Sequence, residues 1–282
     1  MASTLDIRRR IRSVKNTAQI TKAMQMVAAS KMRKSQAAAL AGRPYYEALH
    51  RVLAALHGKV DPLINPLLAE RPVNRELIVL ISTDKGLCGP LNTNLFRELA
   101  RVDTSKTVFV TVGRKGVQFL ARTRRQVLAD FPASEVPRFR EIRPVAAFCS
   151  EKFLSGEVDQ VSVLYPKFIN TLNQQPTLER LLPIPAEDIA SAEKLGGGEF
   201  VFEPDENSVL AAILPHYLNY DIYQMVLDAR ASEHSARMVA MKNATDNAKQ
   251  LVKDLTLEYN KIRQASITTE LLEIATAQLA VQ

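Results

Sequence analysis

Apolar and small residues recur at alternating steps of four and three along the first part of the chain. The positions are Ile7, Ile11, Val14, Ala18, Thr21, Gln25, Ala28 and Met32. This spacing is a heptad seam with small residues in its middle. It predicts an α-helix that packs closely against a helical partner.

The other end of the chain carries a second seam with the same alternation and one charged interruption. Its members are Met241, Ala244, Ala248, Leu251, Leu255, Glu258, Ile262, Ala265, Thr269, Leu272, Thr276 and Leu279. A second apolar stripe of Ile267, Leu271 and Ile274 makes the far end of this predicted helix apolar around much of its circumference. Because an exposed helix normally keeps one polar face, we expect a partner to enclose this end.

Glycine and proline are confined to the middle of the chain. All ten glycines lie between Gly42 and Gly198, and all fourteen prolines between Pro44 and Pro215. Since these residues are the strongest helix breakers, residues 1–41 and 216–282 can each form one unbroken helix. If the segment between them is a compact domain whose ends lie close together, the two helices run antiparallel.

The middle segment shows a different pattern, in which short β-branched apolar runs alternate with helical candidates. The predicted strands are 77–82, 108–112 and 161–165, and the predicted helices are 91–101, 114–122 and 145–154. Such alternation is typical of a doubly wound, Rossmann-like α/β domain with parallel strands. The predicted fold class is therefore α/β plus a long antiparallel coiled coil, with coiled-coil segments 1–60 and 207–282 and a central α/β domain over 73–190.

The net charge of +7 is concentrated on the first predicted helix. Residues 1–41 contain nine basic residues and one acidic residue, whereas the rest of the chain is nearly balanced. Eight unbalanced charges on a helix that is already paired along another face indicate an acidic partner surface. Nucleic acid is one such partner, but this segment has no aromatic residue to stack on bases and no nucleic-acid-reading motif, so we do not expect it.

The most enzyme-like feature is the loop Thr83–Pro90, which follows a predicted strand and precedes a predicted helix. It lacks the glycine and lysine spacing of either common phosphate-binding loop. The four histidines and two cysteines have no metal-ligand spacing, and no nucleophile motif occurs. We therefore predict no catalytic residue, no cofactor and no metal, although an α/β nucleotide-binding enzyme with a helical oligomerisation stalk stays as the alternative.

No run of eighteen apolar residues and no secretory signal is present, so the sequence predicts no direct membrane insertion. Cys88 and Cys149 lie far apart and are expected to be buried thiols of a reducing compartment.

Three segments together resemble a known family. They are IRRRIRSVKNTAQITKAMQMVAASKMRKSQ from residue 7, STDKGLCGPLNTNL from residue 82, and SARMVAMKNATDNAKQLVKDLTLEYNKIRQASITTELLEI from residue 235. In their order and spacing they resemble the γ subunit of bacterial-type F1Fo ATP synthase, and the resemblance covers essentially the whole chain.

The resemblance implies a non-catalytic rotor, or central stalk, that couples proton-driven rotation to ATP synthesis. Its paired helices would pass through the α3β3 hexamer, and its α/β domain would lie near the ε subunit and the c-ring. The complex would sit peripherally on the cytoplasmic face of the bacterial inner membrane, or on the equivalent face of an organelle membrane. The family's positions that face the β subunits match Lys22, Met24, Arg237, Gln264 and Thr268. An acidic β-subunit loop would face Arg8, Arg9, Arg10 and Arg12.

Overall fold

The computed structural model describes residues 4–56, 65–185, 200 and 202–281. Residues 57–60 of the predicted segment 1–60 and residues 186–190 of the predicted segment 73–190 lie outside this set. The chain ends, residues 1–3 and 282, also lie outside it. The elements in chain order are α1 Thr4–Leu56, β1 Glu76–Ile81, α2 Leu91–Leu99, β2 Thr107–Val112, α3 Arg114–Arg122, β3 Val127–Phe131, α4 Phe139–Leu154, β4 Gln160–Phe168, β5 Gln174–Leu182 and α5 Glu206–Val281.

The chain divides into two compact units, each of which is described separately. The first lies within Met1–Val27 and Met238–Gln282, and we call it the helical pair. The second lies within Ala28–Arg237, and we call it the α/β unit. Both long helices contribute to both units, because each crosses a unit boundary without interruption.

A five-stranded sheet forms the centre of the α/β unit, in the order β3-β2-β1-β4-β5. The first four strands are parallel, and β5 runs antiparallel to β4 at one edge. The predicted doubly wound order and the three predicted central strands are confirmed, and α3 has the predicted bounds. The two edge strands, β3 and β5, were not predicted, because they carry exposed or polar residues and β5 contains Pro176.

Helices cover both faces of this sheet. On one face, α2 and α3 bury Leu95, Leu99 and Leu120 against strand residues such as Phe109. On the other face, α4 packs together with the parts of α1 and α5 that belong to this unit. Strand residues buried on both faces explain why the three central strands are apolar almost throughout.

Both terminal helices extend further than the segments that lack glycine and proline. Pro44 lies inside α1 and Pro215 inside α5. A proline inside a helix costs about 3 kcal/mol, but the turns beyond Pro44 bury three leucines, each worth roughly 1.5–3 kcal/mol. These are Leu49, Leu53 and Leu56. Tertiary burial therefore outweighs the local preference to end the helix.

Candidate functional surfaces on the helical pair and after the first strand

The seam predicted on α1 is the buried side of the helical pair. Ile7 is buried, and Ile11, Val14, Ala18, Thr21 and Gln25 are partly buried, whereas the basic residues between them are exposed. Two contacts show that α5 runs antiparallel to α1: Arg8 Nη2 donates to Tyr259 Oη at 2.6 Å, and the hydroxyls of Thr21 and Thr245 lie 2.7 Å apart. Small seam residues thus allow the close approach that the heptad pattern predicted.

The seam predicted on α5 is partly wrong. Met241, Ala248, Leu255 and Ile262 do face inward, but Leu251 and Glu258 are exposed, and the neighbouring Val252 and Tyr259 take their places. The physical reason lies in the partners: Tyr259 accepts a hydrogen bond from Arg8, whereas the Glu258 carboxylate stays in water, where its charge is solvated. The seven-residue repeat is kept, but every second seam position lies one residue further along the chain than predicted.

Arginines form an exposed basic stripe along the first turns of α1. Arg9, Arg10 and Arg12 are exposed, and within the described residues none of their side chains makes a hydrogen bond or an ion pair. Arg8 is also exposed but differs from them, because its guanidinium lies 5.5 Å from the centre of the Tyr259 ring and donates to the Tyr259 hydroxyl. Of the four arginines predicted to face an acidic surface, three are therefore free to do so.

The predicted contact residues of the helical pair lie at two separate levels. Lys22 is exposed and Met24 is partly buried on α1, near the level of Thr245. Gln264 and Thr268 are exposed on α5 and bond each other, with Thr268 Oγ1 donating to the Gln264 carbonyl at 2.9 Å. About twenty residues of α5 separate these levels, which corresponds to roughly 30 Å along a helix.

The far end of α5 has no helical partner among the described residues. The antiparallel register places Thr4, the first described residue of α1, opposite about residue 262, and every described side chain from Arg263 to Thr276 is exposed. Large apolar side chains are included: Ile267 is 47% exposed and Leu271 62% exposed. Exposed apolar surface of this kind marks an interaction site.

Arg237, the remaining predicted contact residue, lies in the α/β unit and is mostly buried. Its guanidinium donates to Glu233 Oε1 at 2.8 Å, to the Lys85 carbonyl at 3.3 Å and to the Gly86 carbonyl at 3.3 Å. These acceptors tie the start of the loop Thr83–Pro90 to α5. The Arg237 side chain therefore positions this loop, and its predicted contact with a β subunit stays a prediction.

The loop after β1 presents the wrong groups for phosphate. Two of its backbone carbonyls point at Arg237, and the Asp84 carboxylate accepts from Arg230 Nη2 at 3.1 Å and from the Arg114 backbone N–H at 3.1 Å. Thr83 Oγ1 donates to the Lys85 carbonyl and accepts from Asn92, which closes the turn. A phosphate site needs converging N–H donors, whereas this loop offers oxygen acceptors that are already bonded by arginines of α5.

A buried ion network lies beneath this loop and was missed from the sequence. Arg230 is only 3% exposed and donates to Glu233 Oε2 at 2.7 Å and to the Ala133 carbonyl at 2.9 Å, in addition to Asp84. Glu233 accepts from both Arg230 and Arg237. These three residues are spaced three and then four apart on α5, which allows them to pair but is equally the spacing of an ordinary solvated helix face.

Two further groups at this site are kept uncharged by burial. Removal from water lowers the pKa of His234, whose Nδ1 lies 3.4 Å from Arg237 Nη1 and whose Nε2 has no hydrogen-bond partner among the described residues. Burial also raises the pKa of the Cys88 thiol, which agrees with the prediction of an ordinary buried cysteine. A protonated thiol is a weak nucleophile, so Cys88 is not poised for covalent chemistry.

Asp228 is expected to destabilise the α/β unit at neutral pH. It lines a cleft of about 710 Å³ beside Lys167 and Gln224, and burial raises the pKa of its carboxyl from 3.8 to about 6. The pKa of Asp228 is higher in the folded than in the unfolded chain. The α/β unit therefore keeps its whole free energy of unfolding below about pH 4, and part of it is lost as the pH rises through about 6. Asp228→Asn should therefore raise the free energy of unfolding by roughly 2–3 kcal/mol at pH 7.5 and by almost nothing at pH 4.

Urea unfolding at the two pH values measures this difference directly. Asp246→Asn, at an exposed carboxylate of the helical pair, is the matched control and should change neither value. A gain from Asp228→Asn that is equal at both pH values would contradict the assigned ionisation.

Neither a metal cluster nor a membrane-spanning helix occurs in the described part of the chain. No group of three His, Cys, Asp or Glu side chains there is arranged to hold a metal ion. No helix there is both long enough and apolar enough to cross a bilayer.

Comparison with known proteins relates both units to one family. The family model described as ATP synthase matches residues 3–281. The ATP synthase gamma chain of Opitutus terrae is 54% identical over 293 aligned residues, covering 99% of each chain.

Two solved structures share the fold. One is a chain of the Euglena gracilis mitochondrial ATP synthase OSCP/F1/c-ring, with a TM-score of 0.71 at 22% identity over 99% of this chain and 94% of that one. The other is a chain of the Tetrahymena thermophila mitochondrial ATP synthase central stalk and c-ring, with a TM-score of 0.64 at 28% identity over 80% of this chain and 99% of that one. The helical pair, the doubly wound sheet and these full-length matches agree, and the chain belongs to the ATP synthase gamma-chain family.

Proposed function

We propose that this chain is the central rotor, or stalk, subunit of an F1Fo ATP synthase. In this role it couples proton-driven rotation of the c-ring to ATP synthesis at the catalytic sites of an α3β3 hexamer. The observation that carries the proposal is the exposed end of α5, where apolar side chains extend beyond the level of the first described residue of α1. A helix end of this kind is unfavourable in water and becomes favourable inside an apolar sleeve.

The exposed side chains of the helical pair are suited to mechanical contact rather than chemistry. Lys22, Gln264 and Thr268 present polar groups at two levels, Met24 presents a flexible apolar side chain, and the arginine stripe faces outward beside them. As the pair turns, each β subunit meets a different set of these groups. Each orientation then stabilises a different conformation of the three β subunits, which is how rotation is coupled to nucleotide binding.

The chain itself performs no catalysis under this proposal. The loop Thr83–Pro90 supports this view, because two of its carbonyls and the Asp84 carboxylate already accept hydrogen bonds from Arg237 and Arg230. The purified chain should therefore show no ATPase activity. ATP binding by the isolated chain that is lost in Lys85→Ala would instead support the nucleotide-binding enzyme.

The remaining partners follow from the same role. The α/β unit would contact the ε subunit and the c-ring, and the assembled complex would lie peripherally on the cytoplasmic face of the bacterial inner membrane, or on the equivalent organelle face. Co-purification of the chain with α, β, ε and c subunits from solubilised membranes would test these contacts.

Charge reversal along the stripe tests the proposal most directly. We expect Arg9→Glu, Arg10→Glu and Arg12→Glu, made together, to reduce assembly with α3β3 or the ATPase rate of the complex at least tenfold, because a basic stripe facing acidic β-subunit loops becomes repulsive. Arg8 is left unchanged because it holds Tyr259. The measurement is ATPase activity of complexes reconstituted with α and β subunits.

A matched triple variant controls for the change in net charge. Arg138, Arg140 and Arg143 are exposed arginines near the start of α4, and their replacement by glutamate should leave assembly within twofold of wild type. An unchanged ATPase rate in the variant with Arg9, Arg10 and Arg12 reversed would rule out acidic β-subunit loops as the partner of the stripe. Failure of the wild-type chain to join α3β3 would rule out the rotor.

A further inference from the structure

The middle of the chain is balanced in charge overall, but its charges are separated along the sequence. Residues 91–126 hold eight basic and two acidic residues, a net charge of +6. The basic residues are Arg97, Arg101, Lys106, Arg114, Lys115, Arg122, Arg124 and Arg125. This concentration is independent of the basic stripe on α1 and has no part in the function proposed above.

The fold brings most of these charges to one edge of the sheet. In a parallel α/β unit, the helices run antiparallel to the strands, so α2 and α3 end at the amino edge, opposite the loop Thr83–Pro90. Phe96 and Phe119 stack with ring centroids 4.2 Å apart, and Arg125 Nη1 donates to the Leu99 carbonyl at 2.9 Å. The C-terminal ends of the two helices are therefore side by side.

Four of these cations are exposed and form no close ion pair within the described residues. They form the amino-edge basic surface: Arg97, Lys106, Arg122 and Arg124. Glu98 already pairs with Arg101 at 2.8 Å, whereas the Asp103 carboxylate, which accepts two hydrogen bonds from Ser105, keeps its negative charge near Lys106. Asp103 is the one unpaired acid of residues 91–126, so the four cations leave the surface with a net positive charge.

Arg124 occupies a backbone position at which arginine is unfavourable. Its φ is 54°, and its N–H donates to the Ala121 carbonyl while the next N–H donates to the Leu120 carbonyl. This pattern is a Schellman motif, whose left-handed residue is usually glycine because a side chain there is strained. Capping alone would favour glycine here, so Arg124 adds an exposed positive charge at the end of α3 at the cost of backbone strain.

The character of the surface distinguishes among anionic partners. Exposed aliphatic side chains lie at the same edge, with Val73 just before β1 and Leu154 at the end of α4. Basic groups combined with protruding aliphatic groups are typical of surfaces that bind lipid headgroups. The aromatic rings of this region stack on each other and are partly buried, so bases have no platform on which to stack.

We propose that the amino-edge basic surface binds the headgroups of anionic phospholipids. The guanidinium groups suit phosphate because they donate two parallel hydrogen bonds. Each cation near an anionic bilayer contributes about fivefold in affinity, and the attraction weakens with salt. The surface would attract the α/β unit to a membrane with the amino edge of its sheet facing the lipid, without insertion.

Vesicle co-sedimentation of the full chain tests this proposal. We expect binding to phosphatidylcholine vesicles that contain phosphatidylglycerol, little binding to pure phosphatidylcholine, and a decrease as salt is raised. The triple variant Arg97→Gln, Arg122→Gln and Arg124→Gln should bind at least tenfold more weakly. The equally charged control Arg9→Gln, Arg10→Gln and Arg12→Gln should bind within threefold of wild type, and a control that loses as much as the first variant would overturn the proposal.

Two further measurements separate the other readings. Arg124→Gly should raise the melting temperature, because it removes the strain of the left-handed backbone, and it should still weaken vesicle binding several-fold. A more stable variant with unchanged vesicle binding would show that Arg124 only caps α3 and takes no part in the surface. A chain that binds poly-glutamate but not the anionic vesicles would show that the surface takes an acidic protein, and the lipid proposal would be wrong.

Discussion

Arg230→Met is expected to lower the free energy of unfolding of the α/β unit by about 3–5 kcal/mol, because it leaves buried charges without their partner. Arg230 is 3% exposed and Glu233 7% exposed, and their nearest atoms lie 2.7 Å apart. Without the guanidinium, Asp84 Oδ2 and the Ala133 carbonyl also lose a donor. Urea unfolding followed by circular dichroism measures the change.

Two comparisons distinguish the buried network from an ordinary ion pair. Arg101 pairs with Glu98 at a similar distance but is 72% exposed, so Arg101→Met should change stability by no more than about 0.5 kcal/mol. Adding Glu233→Gln to Arg230→Met should not restore stability, because Glu233 still pairs with Arg237 at 2.8 Å and its removal leaves that arginine, 12% exposed, without a carboxylate. A loss below about 1 kcal/mol in Arg230→Met alone would mean that water reaches the site.

The fold could be predicted from sequence wherever burial is symmetrical. β1, β2 and β4 are covered on both faces, so nearly every residue in their predicted cores is apolar and the strands are visible as continuous runs. β5 is covered on one side only, and its polar sequence QQPTLERLL gives no such signal. Edge strands are recognised by pairing with a neighbour, which local sequence does not contain.

The helical pair shows how far periodicity alone reaches. As far as Ile262 the heptad spacing predicted every second seam residue of α5 correctly, but it could not choose between Leu251 and Val252 or between Glu258 and Tyr259. Beyond Ile262 the predicted seam residues Ala265, Thr269, Leu272 and Thr276 are exposed, because no described residue of α1 lies opposite them. That choice depends on what α1 presents at the same level, and there Arg8 meets the Tyr259 hydroxyl. The register is therefore set by polar pairs across the seam, in addition to its apolar residues.

The ion network beneath the loop could not be derived from local sequence for a related reason. Arg230, Glu233 and Arg237 have the spacing of an ordinary solvated helix face. What buries them is the loop after β1, and Asp84 is 146 positions away from Arg230 in the chain. The predicted contact role of Arg237 rests on family resemblance, whereas its contact with the loop is a property of the tertiary structure.

A series of glycine-to-alanine changes tests how tightly the carboxyl edge beside this loop is built. Gly113 has a φ of 108°, and a Cβ there would lie 2.2 Å from the Ser82 carbonyl oxygen. The same glycine lets Ser82 Oγ donate to the Gly113 carbonyl while it accepts from the Gly116 N–H at the start of α3. Gly113→Ala should therefore combine backbone strain with a clash against a main-chain atom that cannot move independently.

We expect Gly113→Ala to destabilise the α/β unit by roughly 3–5 kcal/mol, the sum of a strained φ and an overpacked contact. Gly156 has a φ of 74° but open space around it, so Gly156→Ala isolates the backbone strain at about 1 kcal/mol. Gly86 has open space and no left-handed φ, so Gly86→Ala should stay within about 0.5 kcal/mol of wild type. Equal losses in the free energy of unfolding for Gly113→Ala and Gly156→Ala, as measured by urea unfolding, would mean that the clash with Ser82 contributes nothing. In that case α3 could shift away from β1 without breaking the Asp84 contacts.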